Sequence, residues 1–421
     1  MKSAILSEVF AELCETQTHL DALLSNVHVL QRAKVAIYLG AFLRRPLTLA
    51  EHFGVKVADT AEEFWDMSFI RLKKNEGIHE LLRKIWESGG DYPNQGSEID
   101  FPTHLVNEWT ADWGPEVTQK MCMFLSQDPL TTIRLHRRAR EGEEKLKAVL
   151  ATHEALPKLR LGNYSILARV FKGFAKIQKI DLFQEGWFEI QDEGSQVMSI
   201  YALESELVKS ALTPVPSIGP KKDMVFFNKT MLQNIAPRTV IDACSGAGGK
   251  ALAMADLMRG QGRVFAYDIY EKKLLNLRKR TDRSQDRNIQ GVLVKSSDEA
   301  RTEQLKAFYE SADRVLVDSP CGGYGVLRRN PDSKWNRKPM AQNENHVDIT
   351  ELQQKIILDY APLTKVGGEL IYGVCTFSKR ETTDQVEWMK TNLPDFELKS
   401  FGFIGPYDTD GFFMAAFERK K

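Results

Sequence analysis

The sequence predicts an α/β protein whose larger part is an open, mostly parallel sheet with helices on both faces. A small all-helical N-terminal domain and a mixed α/β linker subdomain precede that sheet. Three observations carry this reading. From Thr239 onward, short β-branched runs alternate with helical stretches, the pattern of parallel strands joined by right-handed crossovers. Up to about residue 90, apolar positions recur at helical spacing. Every motif with chemical character falls at the carboxyl end of a predicted strand, where open α/β sheets bind ligands.

Residues 1–90 contain the helical runs ILSEVFAELCETQTHLDALL, RAKVAIYLGAFL and IHELLRKIWES. Gly89, Gly90, Pro93 and Asn94-Gln95-Gly96 then break the pattern and close the first domain. Residues 100–205 are mixed. They hold a helix over 104–124, a short strand in TTIRLH, a strand over 187–190 and a helix beginning at Asp192. A loop-rich connection over 206–238 carries Pro214, Pro216 and Pro220. The last domain, 239–421, opens with the strand TVIDA, the loop SGAGGK and the helix ALAMADLM. GRVFAYD, VLV (292–294), DRVLVD and GGELIYGV are its next strands, each followed by a helix, and FEL and FFMAAFE close it.

A chain of 421 residues favours two or three domains, and 43% hydrophobic residues suffice for packed cores. No apolar run approaches the ~20 residues of a membrane span. The N-terminal MKSAILSEVFAEL meets a glutamate too early for a secretory apolar region, so a soluble, cytoplasmic protein without a membrane partner is expected. The 57 basic and 57 acidic residues cancel, so global charge gives no argument for nucleic acid. Local charge is less even. Residues 155–180 hold six basic and no acidic residues, and 272–287 and 328–338 are also basic; three such runs mark one basic face. Cys14, Cys122, Cys244, Cys321 and Cys375 are odd in number, widely spaced and without a CxxC pair. That argues against a disulfide framework and against a metal site.

DACSGAGGK (242–250) lies between the first strand of the last domain and its helix. Gly246, Gly248 and Gly249 let backbone approach a ligand closely, and the helix start offers free N–H groups. Asp268 ends the second strand and is placed for ribose hydroxyls. Two cofactors compete for such a loop, because Gly246-x-Gly248-x-x-Ala251 also fits a dinucleotide fingerprint. One is a nicotinamide dinucleotide, the other S-adenosylmethionine. Lys250 entering the site favours the second.

The stretch over 315–335, VLVDSPCGGYGVLRRNPDSKW, ends a buried strand in Asp318, adds Cys321 three residues later, and continues into basic and aromatic residues suited to a polyanion. Cys375 follows the strand GGELIYGV. A lone strand-end cysteine is usually a small buried hydrophobe. Two of them, beside a cofactor loop and a strand-end aspartate, point to function.

In these motifs the sequence resembles the Fmu/Sun-type (RsmB-like) RNA (cytosine-5) methyltransferases. The resemblance covers residues 101–421 and rests, in order, on QDEGSQ (191–196), DACSGAGGK, Asp268, DSPCGGYGVLRRNPDSKW, GGELIYGVCTF and DGFFMAAFER (410–419). The N-terminal helices resemble a shortened NusB-like RNA-binding domain. The family's loop usually reads C-A-A-P-G-G-K-T, whereas here Cys244-Ser245-Gly246-Ala247-Gly248-Gly249-Lys250-Ala251 lacks the proline and threonine. Val374 and Thr376 replace the usual threonine and serine around the second thiol, and Ser319 and Gly322 replace the commoner alanine and serine. No reactive side chain is lost.

The resemblance implies a Rossmann-like methyltransferase sheet, S-adenosylmethionine as cofactor and RNA as partner, ribosomal RNA being favoured and transfer RNA the alternative. It implies a monomer acting through a covalent thiol adduct at carbon 6 of cytosine. Cys375 is the implied nucleophile and Cys321 assists thiol release. Asp318 contacts the base, and Lys250 stabilises developing charge or lowers a thiol pKa. The cofactor is expected on residues 244–250, Asp268, Asp298 and Asp318. Arg328, Arg329, Lys334 and Trp335 are expected to hold RNA beside the flipped base. A catalytically idle RNA-binding assembly factor and a nicotinamide-dependent oxidoreductase are the competing readings.

Overall fold

The computed structural model describes residues 4–141, 160–165, 167–172, 177–216, 231–232, 234–335, 348–405 and 409–421. Much of the basic run over 155–180, and the middle of the 206–238 connection, lie outside the described residues. The chain divides into two units: Met1–Pro129 with Gly323–Met340, and Leu130–Gly322 with Ala341–Lys421. Among the described residues no helix is long and apolar enough to cross a membrane.

The second unit contains both sheets. In chain order its strands are β1 (Leu130–Leu135), β2 (Arg160–Leu161), β3 (Ala168–Lys172), β4 (Phe188–Ile190), β5 (Thr239–Asp242), β6 (Arg263–Asp268), β7 (Ile289–Leu293), β8 (Ala312–Asp318), β9 (Thr364–Val374), β10 (Phe396–Ile404) and β11 (Phe412–Arg419). The first four form an antiparallel sheet in the order β2-β3-β1-β4. The other seven form one sheet ordered β10-β11-β9-β8-β5-β6-β7. Six of these seven run in one direction, and β11 alone is reversed, lying antiparallel between β9 and β10. This is the Rossmann-like methyltransferase sheet expected. The strand order reverses at β5, with β6 on one side and β8 on the other, which opens the binding crevice there.

The central strands are buried on both faces, as near-continuous apolar runs require. The helix Glu193–Leu203 packs almost entirely inside, against the helix Gly249–Leu257 and the sheet. Its Gly194 is a place only glycine fits, since a Cβ there would sit 2.5 Å from the Phe412 ring. Charged side chains in the interior join the small sheet to the large one. Arg134 of β1 donates to Asp256 at 2.9 Å, and His136 and Arg137 face Asp286 at 3.4 and 2.7 Å. Removing one member of such a buried pair costs about 3–5 kcal/mol, because the other charge is left without compensation.

The first unit is helical, and it runs on past residue 90 to 129. The predicted helix over 104–124 is two helices, Thr103–Trp113 and Pro115–Leu125, divided by Gly114 at φ 82° with Pro115 starting the next turn. Thr60, Ser68 and Asn75 cap the helices that follow them, accepting from the N–H groups of Glu63, Arg71 and Ile78.

This unit also takes in the tail of the Pro-Cys stretch, which corrects one expectation. Trp335 is 4% exposed, its ring centroid 5.0 Å from that of Trp65 and 5.6 Å from those of Phe42 and Phe64. Its Nε1 donates to the Leu43 carbonyl at 2.9 Å. Lys334 is 5% exposed, and its Nζ donates to the carbonyls of Arg44 at 2.5 Å and Asp100 at 2.7 Å. Leu43 and Arg44 end the helix Val29–Arg44, so these two side chains satisfy carbonyls left open at a helix C-terminus. Arg328 lies buried with its guanidinium 4.5 Å from the Phe124 ring centroid. Arg328, Lys334 and Trp335 therefore pack the helical unit instead of facing RNA, and only Arg329 remains half-exposed.

Burial lowers the Lys334 pKa from 10.5 to about 7, against the raising influence of Asp100. Between those pH values the unfolded chain binds a proton that the folded chain has released, so stability rises with pH across that window. Thermal unfolding of the full chain, monitored on the helical unit by Trp fluorescence, is expected at higher temperature near pH 9 than near pH 7. Lys334→Met should flatten that dependence; an unaltered pH profile in the variant would show that Lys334 is not the responsible group.

Candidate active site

The turn after β5 is built for close approach. Gly246 and Gly248 have φ of 57° and 81°, and Gly248 caps the helix Gly249–Leu257. A Cβ at Gly248 would meet Leu277 Cδ1 at 2.1 Å, whereas one at Gly246 would point into open space. At the end of the neighbouring strand, buried Asp268 braces the turn. Its Oδ2 accepts from the Gly246 N–H at 2.9 Å and its Oδ1 from the Tyr270 N–H at 2.8 Å. The Ser245 hydroxyl is buried with no hydrogen-bond partner among the described residues. Burial lifts the Cys244 thiol well above its ordinary pKa, with the charges of Asp242, Asp318 and Asp268 adding to the effect. A raised thiol pKa disfavours the reactive thiolate at Cys244.

Lys250, on the first turn of that helix, reaches across to β8 and donates to Asp318 Oδ2 at 2.5 Å. Burial pulls the ammonium's pKa down, but Asp318, Cys375 and Asp242 more than offset this, so Lys250 stays charged. Behind the pair lies Asp242, 1% exposed, whose oxygens make no hydrogen bond of good geometry with the described residues. Burial, with the charges of Asp318 and Asp268, pushes its pKa up to about 7 against the lowering influence of Lys250. Sequence reasoning passed over Asp242, because one aspartate ending a strand carries no signal of its own.

Strands β8 and β9 are parallel neighbours, with Asp318 paired to Gly373. That register brings the two thiols together: Cys321 Sγ lies 3.3 Å from Cys375 Sγ. Both cysteines are partly exposed. The Cys321 pKa is held well above the ordinary thiol value by its hydrogen bond to Cys375, then by burial and by the charges of Cys375 and Glu381.

Asp298, expected at the adenine, opens the helix Asp298–Lys306 on the surface and pairs with Arg301 and with Lys355, the latter at 2.8 Å. The QDEGSQ segment acts through its backbone partners. The Glu193 carboxylate accepts from the N–H groups of Asn163, Tyr164 and Ser165 at 2.7, 2.6 and 2.8 Å. Asp192 accepts from Gly194 N–H and Thr409 Oγ1 at 2.9 and 2.5 Å, which ties this segment to the DGFF strand. Phe412 of that strand lies with its ring centroid 5.5 Å from Lys250 Nζ.

Residues 229–418 match the family model described as 16S rRNA methyltransferase RsmB/F. The chain is 26% identical over 422 residues to the probable ribosomal RNA small subunit methyltransferase B of Bacillus subtilis (strain 168), covering 93% of this chain and 83% of that protein. A protein of the same description from Synechocystis sp. is 27% identical over 318 residues, 74% of this chain and 61% of its own. Among solved structures, PH0851 superposes with a TM-score of 0.68 at 17% identity, covering 100% of this chain and 99% of that one. NSun6 from Pyrococcus horikoshii with SFG gives 0.55 at 16%, covering 76% and 99%. At such identities the structural likeness is one of fold.

The model matched over 229–418 is that of a methyltransferase, whose methyl donor is S-adenosylmethionine, and this favours that cofactor over a nicotinamide dinucleotide. The residues fit it. The open turn at Gly246, the free first-turn N–H groups of the helix from Gly249, and Asp268 at the neighbouring strand end suit an adenosine and amino-acid ligand. Replacing Asp268 by Ala removes a charged acceptor worth about 1.5–3 kcal/mol. Affinity for S-adenosylhomocysteine should therefore fall by about 10–100-fold in calorimetry. Wild-type affinity in this variant would remove Asp268 from the cofactor site.

Proposed function

With residues 229–418 matching the RsmB/F methyltransferase model, we propose that the protein methylates carbon 5 of a cytosine in structured RNA, through a covalent bond between Cys375 and carbon 6. The observation that carries this reading is the 3.3 Å approach of two thiols at adjoining strand ends, beside the Lys250–Asp318 pair. Ribosomal RNA is favoured over transfer RNA, because the curated relatives are named for the small-subunit ribosomal RNA.

Carbon 5 of cytosine is a poor nucleophile until something adds at carbon 6. Attack by the Cys375 thiolate places an electron pair in the ring, which becomes enamine-like at carbon 5. Asp318 is placed to hydrogen-bond the base edge and share a proton with its N3 nitrogen as charge develops there. Lys250, salt-bridged to Asp318, supplies positive charge on the same side. S-adenosylmethionine, when bound, supplies the electrophilic methyl group that carbon 5 takes up. Loss of the carbon 5 proton then reforms the ring double bond as the carbon 6–sulfur bond breaks. Cys321, hydrogen-bonded to Cys375, hands a proton to the departing sulfur.

Charge placement supports the order of the two thiols. Lys250 interacts with Cys375, and Glu381 with Cys321. A cation favours a thiolate and an anion disfavours one. This is independent of the family's own assignment.

Cys375→Ala should abolish methylation, whereas Cys321→Ala should retain attack but stall release. The latter variant, incubated with RNA and S-adenosylmethionine, should give a protein–RNA adduct that survives a denaturing gel. Bisulfite sequencing of RNA from cells with and without the gene would locate the cytosine. An active Cys375→Ala enzyme would overturn the mechanism.

A further inference from the structure

Behind the two thiols lies a carboxylate that no motif announced. Glu381 ends the short helix Lys379–Glu381, six positions after Cys375, and is 4% exposed. Its Oε2 accepts from the Gly322 N–H at 2.8 Å, directly after Cys321, and from Gln353 Nε2 at 2.9 Å. Its Oε1 accepts from Thr376 Oγ1 at 3.4 Å, directly after Cys375. One side chain therefore touches the residue following each thiol. Three donors converge on this one carboxylate.

The support around it is closed and buried. Gln353 also donates to the Pro320 carbonyl at 2.9 Å, so the turn is held on both sides of Cys321. The Tyr372 hydroxyl, from β9, donates to the Glu381 carbonyl at 2.7 Å and to Gln353 Oε1 at 3.0 Å, and Gln385 donates to that same oxygen at 3.2 Å. Gln353, Tyr372, Thr376 and Gln385 are all at most 1% exposed. A buried charge held this firmly is expensive unless it does something, since an apolar replacement would pack as well. Even the glycine after Cys321 conforms to it, because a Cβ at Gly322 would sit 2.7 Å from Glu381 Oε1.

We infer that Glu381 is a positioning residue for the two-thiol chemistry, tying the Cys321 turn to the segment after Cys375 and setting a carboxylate against the Cys321 turn. The inference rests on the thiol mechanism proposed above and adds the group that makes the two sulfurs unequal. Cys375, at the end of β9, and Glu381 both disfavour ionisation of Cys321. Cys321 thus stays a thiol, able to donate a proton, and in the proposed mechanism Cys375 is the sulfur that attacks.

The test uses the full chain and needs no RNA for its first part. Iodoacetamide alkylation of Cys321 and Cys375 is followed separately by peptide mass spectrometry across a pH series. In the wild type, Cys375 should react at lower pH than Cys321. In Glu381→Gln, the pH at which Cys321 reacts should move down toward that of Cys375. Binding of S-adenosylhomocysteine, measured on the same sample, establishes that the variant is folded. Methylation by this variant should lose about tenfold or more in kcat with KM for RNA and for S-adenosylmethionine little changed. Glu381→Asp keeps the charge but shortens the reach, so it should restore the alkylation order while kcat stays low. An unchanged Cys321 profile in folded Glu381→Gln, or wild-type kcat in both variants, overturns the inference. A shifted profile in a protein that methylates no RNA would leave Glu381 its role and remove the RNA reading instead.

Discussion

The parallel pairing of β8 with β9 is the constraint on which the site depends. It sets Asp318 opposite Gly373, so that a carboxylate, a Pro-Cys turn and a second cysteine leave the sheet at the same edge. A slip of one residue would reverse the face of every side chain on the strand and part the sulfurs. The register is protected by burial, since Val315, Leu316, Val317, Leu370, Ile371 and Tyr372 are all fully enclosed. It is reinforced beyond the strands, where the Ser319 N–H donates to the Gly373 carbonyl at 3.0 Å. With β5 on the other side of β8, Lys250 needs only the first turn of its helix to reach Asp318.

Much of this was legible in the sequence, because it follows from local pattern. The seven strands of the large sheet and their alternation with helices appear as apolar runs and turn residues. So does the placing of the glycine turn, Asp268, Asp318 and both thiols at strand ends. The adjacency of β8 and β9 was not legible, since strand order within a sheet is a matter of tertiary packing. The third strand was read over 292–294 and is Ile289–Leu293; its edge position leaves several residues exposed and blurs the hydrophobic signal.

The basic and aromatic tail of the Pro-Cys stretch shows why composition can mislead. Arg328, Lys334 and Trp335 look like a grip for a polyanion, and the same residue types also cap a helix and fill an aromatic pocket. Which role they take depends on residues almost three hundred positions away, at Leu43 and Arg44, and no window of local sequence contains both. Glu381 was missed for the complementary reason. A lone glutamate between Arg380 and Thr382 looks like ordinary surface charge, and only the backbone N–H of Gly322 reveals its use. Burial of polar residues is thus where reading from sequence failed in both directions.

The same logic bears on the three carboxylates at adjoining strand ends, Asp268, Asp242 and Asp318. Together with Lys250 they would leave a cofactor bearing a positive sulfonium in a strongly negative crevice, if all three were ionised. Asp242 changes that balance, because burial and its two neighbours push its pKa up to about 7. Asp242 thus holds its proton more readily than an ordinary carboxylate, which softens the negative charge of the crevice. Asp268 is stabilised separately by two backbone N–H groups and stays available at its strand end. The crevice therefore presents one carboxylate toward the glycine turn and the Lys250–Asp318 ion pair near the two touching thiols. The proposed division of labour between two cysteines of equal intrinsic chemistry thus rests on the charges set next to them.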